Sequence, residues 1–416
     1  MKKELLLLTS ITFGLLTGCG GSSSESDAPL DNGDQGQVGS GDQGGDQNVD
    51  KTALCADEVR TVQWEKILTE QAPNLSEYQL FSSQCNPTTA PSERGLAYDL
   101  SVPLFTDYAT KYRFVFVPEN TKAAYVSGSN TKTVSGQTNY VDDGTLDYPV
   151  GTVITKTFSL PSNTGERGFE NENMIETRLL VRRATGWLAL PYVWNADKTD
   201  AVLDFNGELY SDSQLTHNGS ELTFDYGVPD PQKCQRCHQI DGKTEPLGPK
   251  VRYLNMDYSY DDGVENQLTR WVSEGLLDGA TLPAEPESVP IFKDSKNLDD
   301  IQVADLEDFA KGWLDINCAH CHNPAGDASN TNMQVEYTRS FAQENAHGVC
   351  QKPISFGGEG LEFIIKPGNA AESIMVYRMN TRDGGDRMPP LGRDLVHDEG
   401  VALVSKWINS LADNCN

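Results

Sequence analysis

Two stretches, Cys234-Gln-Arg-Cys237-His238 and Cys318-Ala-His-Cys321-His322, each set two thiols three residues apart with a histidine directly after the second. Thiols about one helical turn apart can both form thioethers to one porphyrin, and the next residue then points its imidazole at the iron. The spacing predicts two covalently bound haem c groups, one on Cys234 and Cys237 and one on Cys318 and Cys321, with His238 and His322 as proximal iron ligands. Zinc also takes Cys and His, but neither motif has a second Cys or His pair at zinc-site spacing. His320, in the spacer of the second motif, is expected to face solvent.

For the far side of the second iron the chain offers Met388, in Arg387-Met388-Pro389-Pro390. The two prolines restrict that loop, so its thioether can stay pointed inward. Met375 and Met379 compete, but methionines four apart on an expected helix are more often core packing. Histidine–methionine ligation raises the potential and leaves no open position, which suits electron transfer. No Met-Pro-Pro follows the first motif. Met256 is its tentative distal ligand; His217, His347, His397 and an open coordination position are the alternatives, and an open iron could bind a small molecule such as peroxide. No acid–base pair stands out beside either motif, so no catalytic residue is assigned.

The elements that position these residues can be read from periodicity and punctuation. Alternation in Lys111-Tyr-Arg-Phe-Val-Phe-Val117, the β-branched run Gly151–Phe158, and Glu176–Arg183 with Trp187–Trp194 around Ala-Thr-Gly predict strands, the last two as a hairpin. From about residue 230 the pattern turns helical: Glu265 to Leu276, Val303 to Trp313 running into Cys318, Ala370 to Met379, and a closing helix capped by Asp398 with Val401, Val404, Trp407, Ile408 and Leu411 on one face. Trp271 could lie against the first porphyrin or in ordinary core, while His217 reads as a surface residue. The expected fold class is multidomain α+β, an N-terminal antiparallel β-sandwich or barrel followed by mainly α-helical cytochrome c-like haem domains. The boundaries are 1–18 signal peptide, 19–53 tether, 54–229 β-rich domain, 230–296 first haem unit and 297–416 domain of the second haem, with 279–297 as linker.

Lys2 and Lys3 precede the apolar run Leu5–Leu16 and then Leu16-Thr-Gly-Cys19, a signal-peptide pattern too short to span a bilayer. Those last residues resemble the bacterial lipoprotein cleavage box, which implies that Cys19 is acylated; an ordinary cleaved signal is the alternative. Gly20 resembles the outer-membrane sorting pattern, so an outer-membrane lipoprotein facing the periplasm is expected. Residues 20–53 are nearly all Gly, Ser, Asp, Gln and Asn, a flexible tether of roughly 30 Å root-mean-square span. Of nine cysteines, Cys55, Cys85, Cys350 and Cys415 are left after lipid and haem. In an oxidising compartment they suggest two disulfides, and sequence proximity favours Cys55–Cys85 and Cys350–Cys415 over free thiols serving as ligands. The formal charge of -28 argues against nucleic acid as partner and suits either steering towards a basic redox protein or simple solubility.

Residues 301–413, through Asn317-Cys-Ala-His-Cys-His322, Met388-Pro-Pro and Val404-Ser-Lys-Trp-Ile-Asn-Ser-Leu411, resemble class I cytochrome c. The whole arrangement, with Leu247-Gly-Pro249 and Asn266-Gln-Leu-Thr269 after the first motif, resembles a family of uncharacterised bacterial di-haem c-type lipoproteins. That resemblance implies a redox protein partner, with a parallel β-helix protein as one candidate. More weakly, Tyr148-Pro-Val-Gly-Thr-Val153 followed by the first motif is similar to the lysine-cross-linked c-type haem enzymes. No lysine here answers to theirs by motif, and Lys156 stands only as a guess. Three function classes follow: a membrane-anchored di-haem electron-transfer protein; a di-haem peroxidase or other c-type haem oxidoreductase with catalysis at the first haem; and a binding module whose haems are structural.

Overall fold

The centre of the fold is a six-stranded antiparallel sheet in which sequential strands pair almost throughout. Its strands are β1 (Gly95–Ala97), β2 (Thr110–Phe116), β3 (Val153–Pro161), β4 (Glu172–Arg183), β5 (Gly186–Trp194) and β6 (Ala201–Leu203), hydrogen-bonded in that order. A long hairpin, β7 (Glu208–His217) with β8 (Ser220–Val228), follows. This is a computed structural model, and it describes residues 55–89, 94–127, 144–240, 242–340, 346–355, 360–412 and 415 in full, with 132–134 and 137–139 as backbone. The signal peptide, Cys19 and the tether lie outside the described residues.

The alternation in β2 divides its side chains between two cores, as a strand period of two requires. Phe114 and Phe116, with Leu179, Leu190 and Tyr192, pack against the N-terminal segment through Ile67, Leu75 and Tyr78. Val115 and Val117, with Ile154, join a larger core that takes in Tyr253, Trp271, Phe292, Trp313 and Trp407. The second face of the sheet is thus covered by the segments that hold the two motifs, and Val49–Asn416 forms one compact unit.

The helices are α1 (Trp64–Thr69), α2 (Pro231–His238), α3 (Val251–Leu254), α4 (Gln267–Ser273), α5 (Leu306–Leu314), α6 (Ile374–Met379) and α7 (Asp398–Ser410). They correct the expected fold class. No sandwich or barrel forms among the described residues, because the six-stranded sheet is open, with β1 and β6 as its edges, and every other sheet described has only two strands. Nor do mainly α-helical cytochrome c-like domains follow residue 230: the protein is mostly β, and α7, the longest helix described, has 13 residues. The expected helices form, but α4, α5 and α6 begin two to four residues late, α5 and α6 after single 3-10 turns at Val303–Asp305 and Ala370–Glu372, and Asp398 is the first residue of α7 rather than its cap. Turns and single bridges such as Gln334–Ala346 and Val349–Ile365 occupy much of the chain between α5 and α6. Burial comes both from packing on the sheet and from α5 crossing α7, with Trp313, Leu403 and Trp407 in the same core as Val115 and Ile154. The expected linker 279–297 is also pinned, with Val289 and Phe292 buried and their amides donating to the Arg252 and Ser101 carbonyls. No described helix is long and apolar enough to cross a membrane.

Both expected disulfides, Cys55–Cys85 and Cys350–Cys415, are formed. The first ties the N-terminal segment to itself, and the second links the turns before Ile364 to the end of the chain.

Candidate functional site

The first motif is the helix α2. Asp230 caps it by accepting from the Lys233 amide at 2.9 Å, and Pro231 occupies its first turn, where a missing N–H costs nothing. Cys234 and Cys237 therefore lie one turn apart and His238 closes the helix. The second motif continues α5 through a π-helical turn, Asp315–Ala319. The Cys321 and His322 amides then both donate to the Cys318 carbonyl, at 3.1 and 2.9 Å. None of the four motif cysteines is in a disulfide.

The two histidines share one hydrogen-bonding state. His238 Nδ1 lies 2.8 Å from the Glu245 carbonyl, which can only accept, so Nδ1 carries the proton. His322 Nδ1 lies 3.1 Å from the Thr331 hydroxyl, which itself donates to the Ala328 carbonyl and so accepts from the ring. In both, Nε2 keeps its lone pair. Burial pushes each imidazole down to about 4, which keeps the rings neutral at physiological pH. A neutral imidazole with Nδ1–H held and Nε2 bare is the form that ligates a metal.

The second motif forms one wall of an apolar cavity of about 910 Å³, counted to its mouth, which also presents Met333, Met375, Met379, Met388 and Pro390. Met388 is pinned on both sides: its amide donates to the Arg378 carbonyl at 2.9 Å, and its carbonyl accepts from Arg393 Nη2 at 2.8 Å. Met375 and Met379 line the same cavity but belong to α6 and are buried in the core. The apolar lining suits a porphyrin held at Cys318 and Cys321, and Met388 lines the same cavity as His322.

The first motif opens on a larger cavity of about 1930 Å³ counted to its mouth, walled by Cys234, Cys237 and His238, by Lys156, Phe158 and Arg178 of the sheet, and by the Met388–Pro390 loop. A smaller one behind it adds Arg113 and Pro246–Pro249. Lys156, a guess from the weaker resemblance, thus faces the same space as Cys234. Met256 does not: it follows α3, half-buried, and lines neither cavity.

The other histidines separate from this site for stated reasons. His217 is not a surface residue; it is buried at the end of β7, with Nδ1 2.8 Å from the Thr164 hydroxyl and Nε2 2.9 Å from Glu399. His347 packs edge-on against Trp407 in the core. His397 does line the first cavity, but Trp313 Nε1, a donor only, points at its Nδ1 at 3.1 Å. The proton then sits on Nε2, which donates to Asp294 at 3.1 Å. Asp294, His397 and Glu399 bring ligand atoms within 4.8 Å of one another, yet a ring that already accepts at Nδ1 cannot also offer Nε2 to a cation without losing its last proton. Trp271 is fully buried in the main core and meets Tyr98 edge-on, so the core reading of it holds.

The fold brings the two motifs against each other, which neither motif's spacing foretells. The Cys237 and Cys321 thiols act on each other, which pushes Cys237 down, with His320 adding to the effect, and Cys321 up. His320 lines the cavities of both motifs rather than facing solvent. Arg236 and Asp327, one beside each motif, form an ion pair of 3.1 Å.

Comparison of the chain with protein-family profiles, curated proteins and solved structures finds no match.

Proposed function

We propose that the chain is a two-haem, c-type electron-transfer protein, anchored to the outer membrane through an acylated Cys19 and facing the periplasm. The supporting observation is the shared state of the two motifs: free thiols, a neutral histidine with Nδ1 held and Nε2 bare, and a cavity in front of each. Bound haem supplies one-electron chemistry at a potential set by its axial ligands and surroundings. The chain's part is to hold and orient. Cys234, Cys237, Cys318 and Cys321 would attach it and His238 and His322 would ligate it, while Arg378 and Arg393 fix the Met388 backbone, whose thioether would serve the second site. The Arg236–Asp327 pair across the motifs and His320, which lines both cavities, support two groups in reach of each other, and the net charge of -28 favours a basic redox protein as partner; a β-helix protein is one candidate.

A second reading, catalysis at the first haem with the second as its electron relay, is favoured by one observation. None of Met256, His217 and His347 lines the first cavity, and His397 has its Nε2 engaged. No preferred ligand from the sequence therefore closes that site.

Mass measurement and haem staining of denatured protein test the main reading. Two covalent haems are expected, and Cys318→Ala with Cys321→Ala should remove half the stain. Unmodified polypeptide mass from cells that mature c-type cytochromes would overturn it. Two low-spin six-coordinate spectra support the relay, whereas a high-spin component that turns over peroxide selects catalysis.

A further inference from the structure

Arg113, Lys156 and Arg178 stand in one row across three strands, Arg113 paired in register with Lys156 and Lys156 with Arg178. The period of two puts Lys111 on the same face. Like charges directly opposite one another across strands destabilise a sheet, and an ammonium away from bulk water needs a compensating charge. Two of the four have one. Asp99 meets Arg113 at 2.6 Å, and Glu176 takes the Nε and Nη2 edge of Arg178, with the Nε contact at 2.7 Å.

The two lysines have no carboxylate in contact, and Asp294 acts on Lys111 and Glu176 on Lys156 only at longer range. Lys111 donates to the Ala109 carbonyl at 3.0 Å, and Lys156 has neither a hydrogen bond nor a carboxylate partner among the described residues. Their ammoniums share the Phe158 ring instead, 5.8 and 5.0 Å from its centroid, beside the Arg178 guanidinium at 4.2 Å. A ring face repays only part of what a carboxylate would. Lys156, Arg178 and Phe158 line the cavity that Cys234 and His238 open on.

We propose that this cavity is a carboxylate-binding site, with Lys156 as its charge partner and the free Nη1 of Arg178 as a second donor. The rest of the lining favours an organic carboxylate. Leu104, Leu247 and Val228 offer apolar contact beside Lys156 and Arg178. The carboxylate has two sources, a propionate of a porphyrin attached at Cys234 and Cys237, or a free small carboxylate. The first source rests on the two-haem reading; the second does not.

The test compares wild type with Lys156→Met, which keeps the stem and removes a charge, and with Lys156→Arg, which restores it. Acetate binding is measured by calorimetry at low salt, and the haem propionate bending band by resonance Raman. A free-carboxylate site predicts acetate binding that weakens at least tenfold in Lys156→Met and returns in Lys156→Arg. A propionate site predicts no acetate binding and a bending band that shifts in Lys156→Met and returns in Lys156→Arg. Wild type that binds no acetate, with a band unchanged by Lys156→Met, would overturn the proposal, as would acetate binding indifferent to the substitution. Mass measurement on the same samples separates the readings: absent haem sinks the two-haem function while the acetate result still decides this site.

Discussion

Arg252 and Asp315 form an ion pair, 2.8 Å from Nη2 to Oδ2, with both side chains wholly excluded from solvent. Arg252 belongs to α3, downstream of the first motif, and Asp315 lies one turn before Cys318. The pair therefore joins the two motif-bearing segments inside the core. Burial by itself would raise the Asp315 carboxyl, but Arg252, Lys250 and the Tyr253 hydroxyl together outweigh it and hold the group well below the usual carboxylate range. Breaking a buried pair by removing one partner leaves the other charge stranded. Asp315→Ala should cost roughly 3–5 kcal/mol in urea unfolding.

The same pair sets a pH dependence. A carboxyl depressed in the folded state contributes stability that is present above its unfolded value of about 3.9 and is lost as pH falls towards the folded value. Unfolding free energy of the wild type should therefore drop below about pH 4. Asp315→Asn, less stable at neutral pH, should show a shallower acid limb, and an equally steep limb would assign that loss to other carboxylates.

What the sequence makes legible here is local. The spacing of Cys234, Cys237 and His238 needs only a capped helix, and the strands around Phe114, Ile154 and Leu190 announce themselves by alternation and β-branching. What it hides is set by register and packing. Arg113, Lys156 and Arg178 are far apart in the chain and become a row only once β2, β3 and β4 pair. His217 sits in a polar stretch and reads as exposed until α7 brings Glu399 to it. The helical periodicity after residue 300 is real, but it cannot say that the buried face of α5 meets Val102 and Val289 at Gly312 as well as α7 at Trp313.

Met388 and the arginine that holds it give a paired prediction. In the haem-loaded protein, Met388→Ala should abolish the methionine-to-iron charge-transfer band and lower one of two midpoint potentials, whereas Met375→Leu and Met379→Leu should leave the band in place. Arg393 donates to the carbonyls of Met388, Leu395, Arg378 and Thr381. Arg393→Ala should weaken the band without removing it and destabilise by at least about 2 kcal/mol, since hydrogen bonds from charged groups contribute roughly 1.5–3 kcal/mol each.

The two disulfides close loops of unequal length, 30 and 65 residues. In the loop-entropy account the longer one stabilises more, about 4.3 against about 3.6 kcal/mol. Cys350→Ala with Cys415→Ala should lower the urea midpoint at least as far as Cys55→Ala with Cys85→Ala. A clearly larger loss from the Cys55–Cys85 pair would show that enthalpy of the native state, not chain entropy, dominates.

Gly400 lies in the first turn of α7 where that helix crosses α5, and its substitution sets two effects against each other. Alanine in place of glycine gains about 1 kcal/mol of helix propensity. A Cβ at Gly400, however, would stand 2.5 Å from Trp313 Cε2 and Cζ2 and 2.7 Å from His397 Nδ1. Neither neighbour can give way freely: Trp313 is buried, and its Nε1 is bound to that same His397 nitrogen. Overpacking a filled site costs about 1–3 kcal/mol, and here it also strains a buried hydrogen bond worth about 1 kcal/mol. The loss should win, so Gly400→Ala lowers unfolding free energy by about 1–2 kcal/mol. Because Trp313 and His397 both border the first cavity, the same variant should perturb the spectrum of the first haem more than that of the second, and a stabilised protein with both spectra unchanged would refute the packing argument.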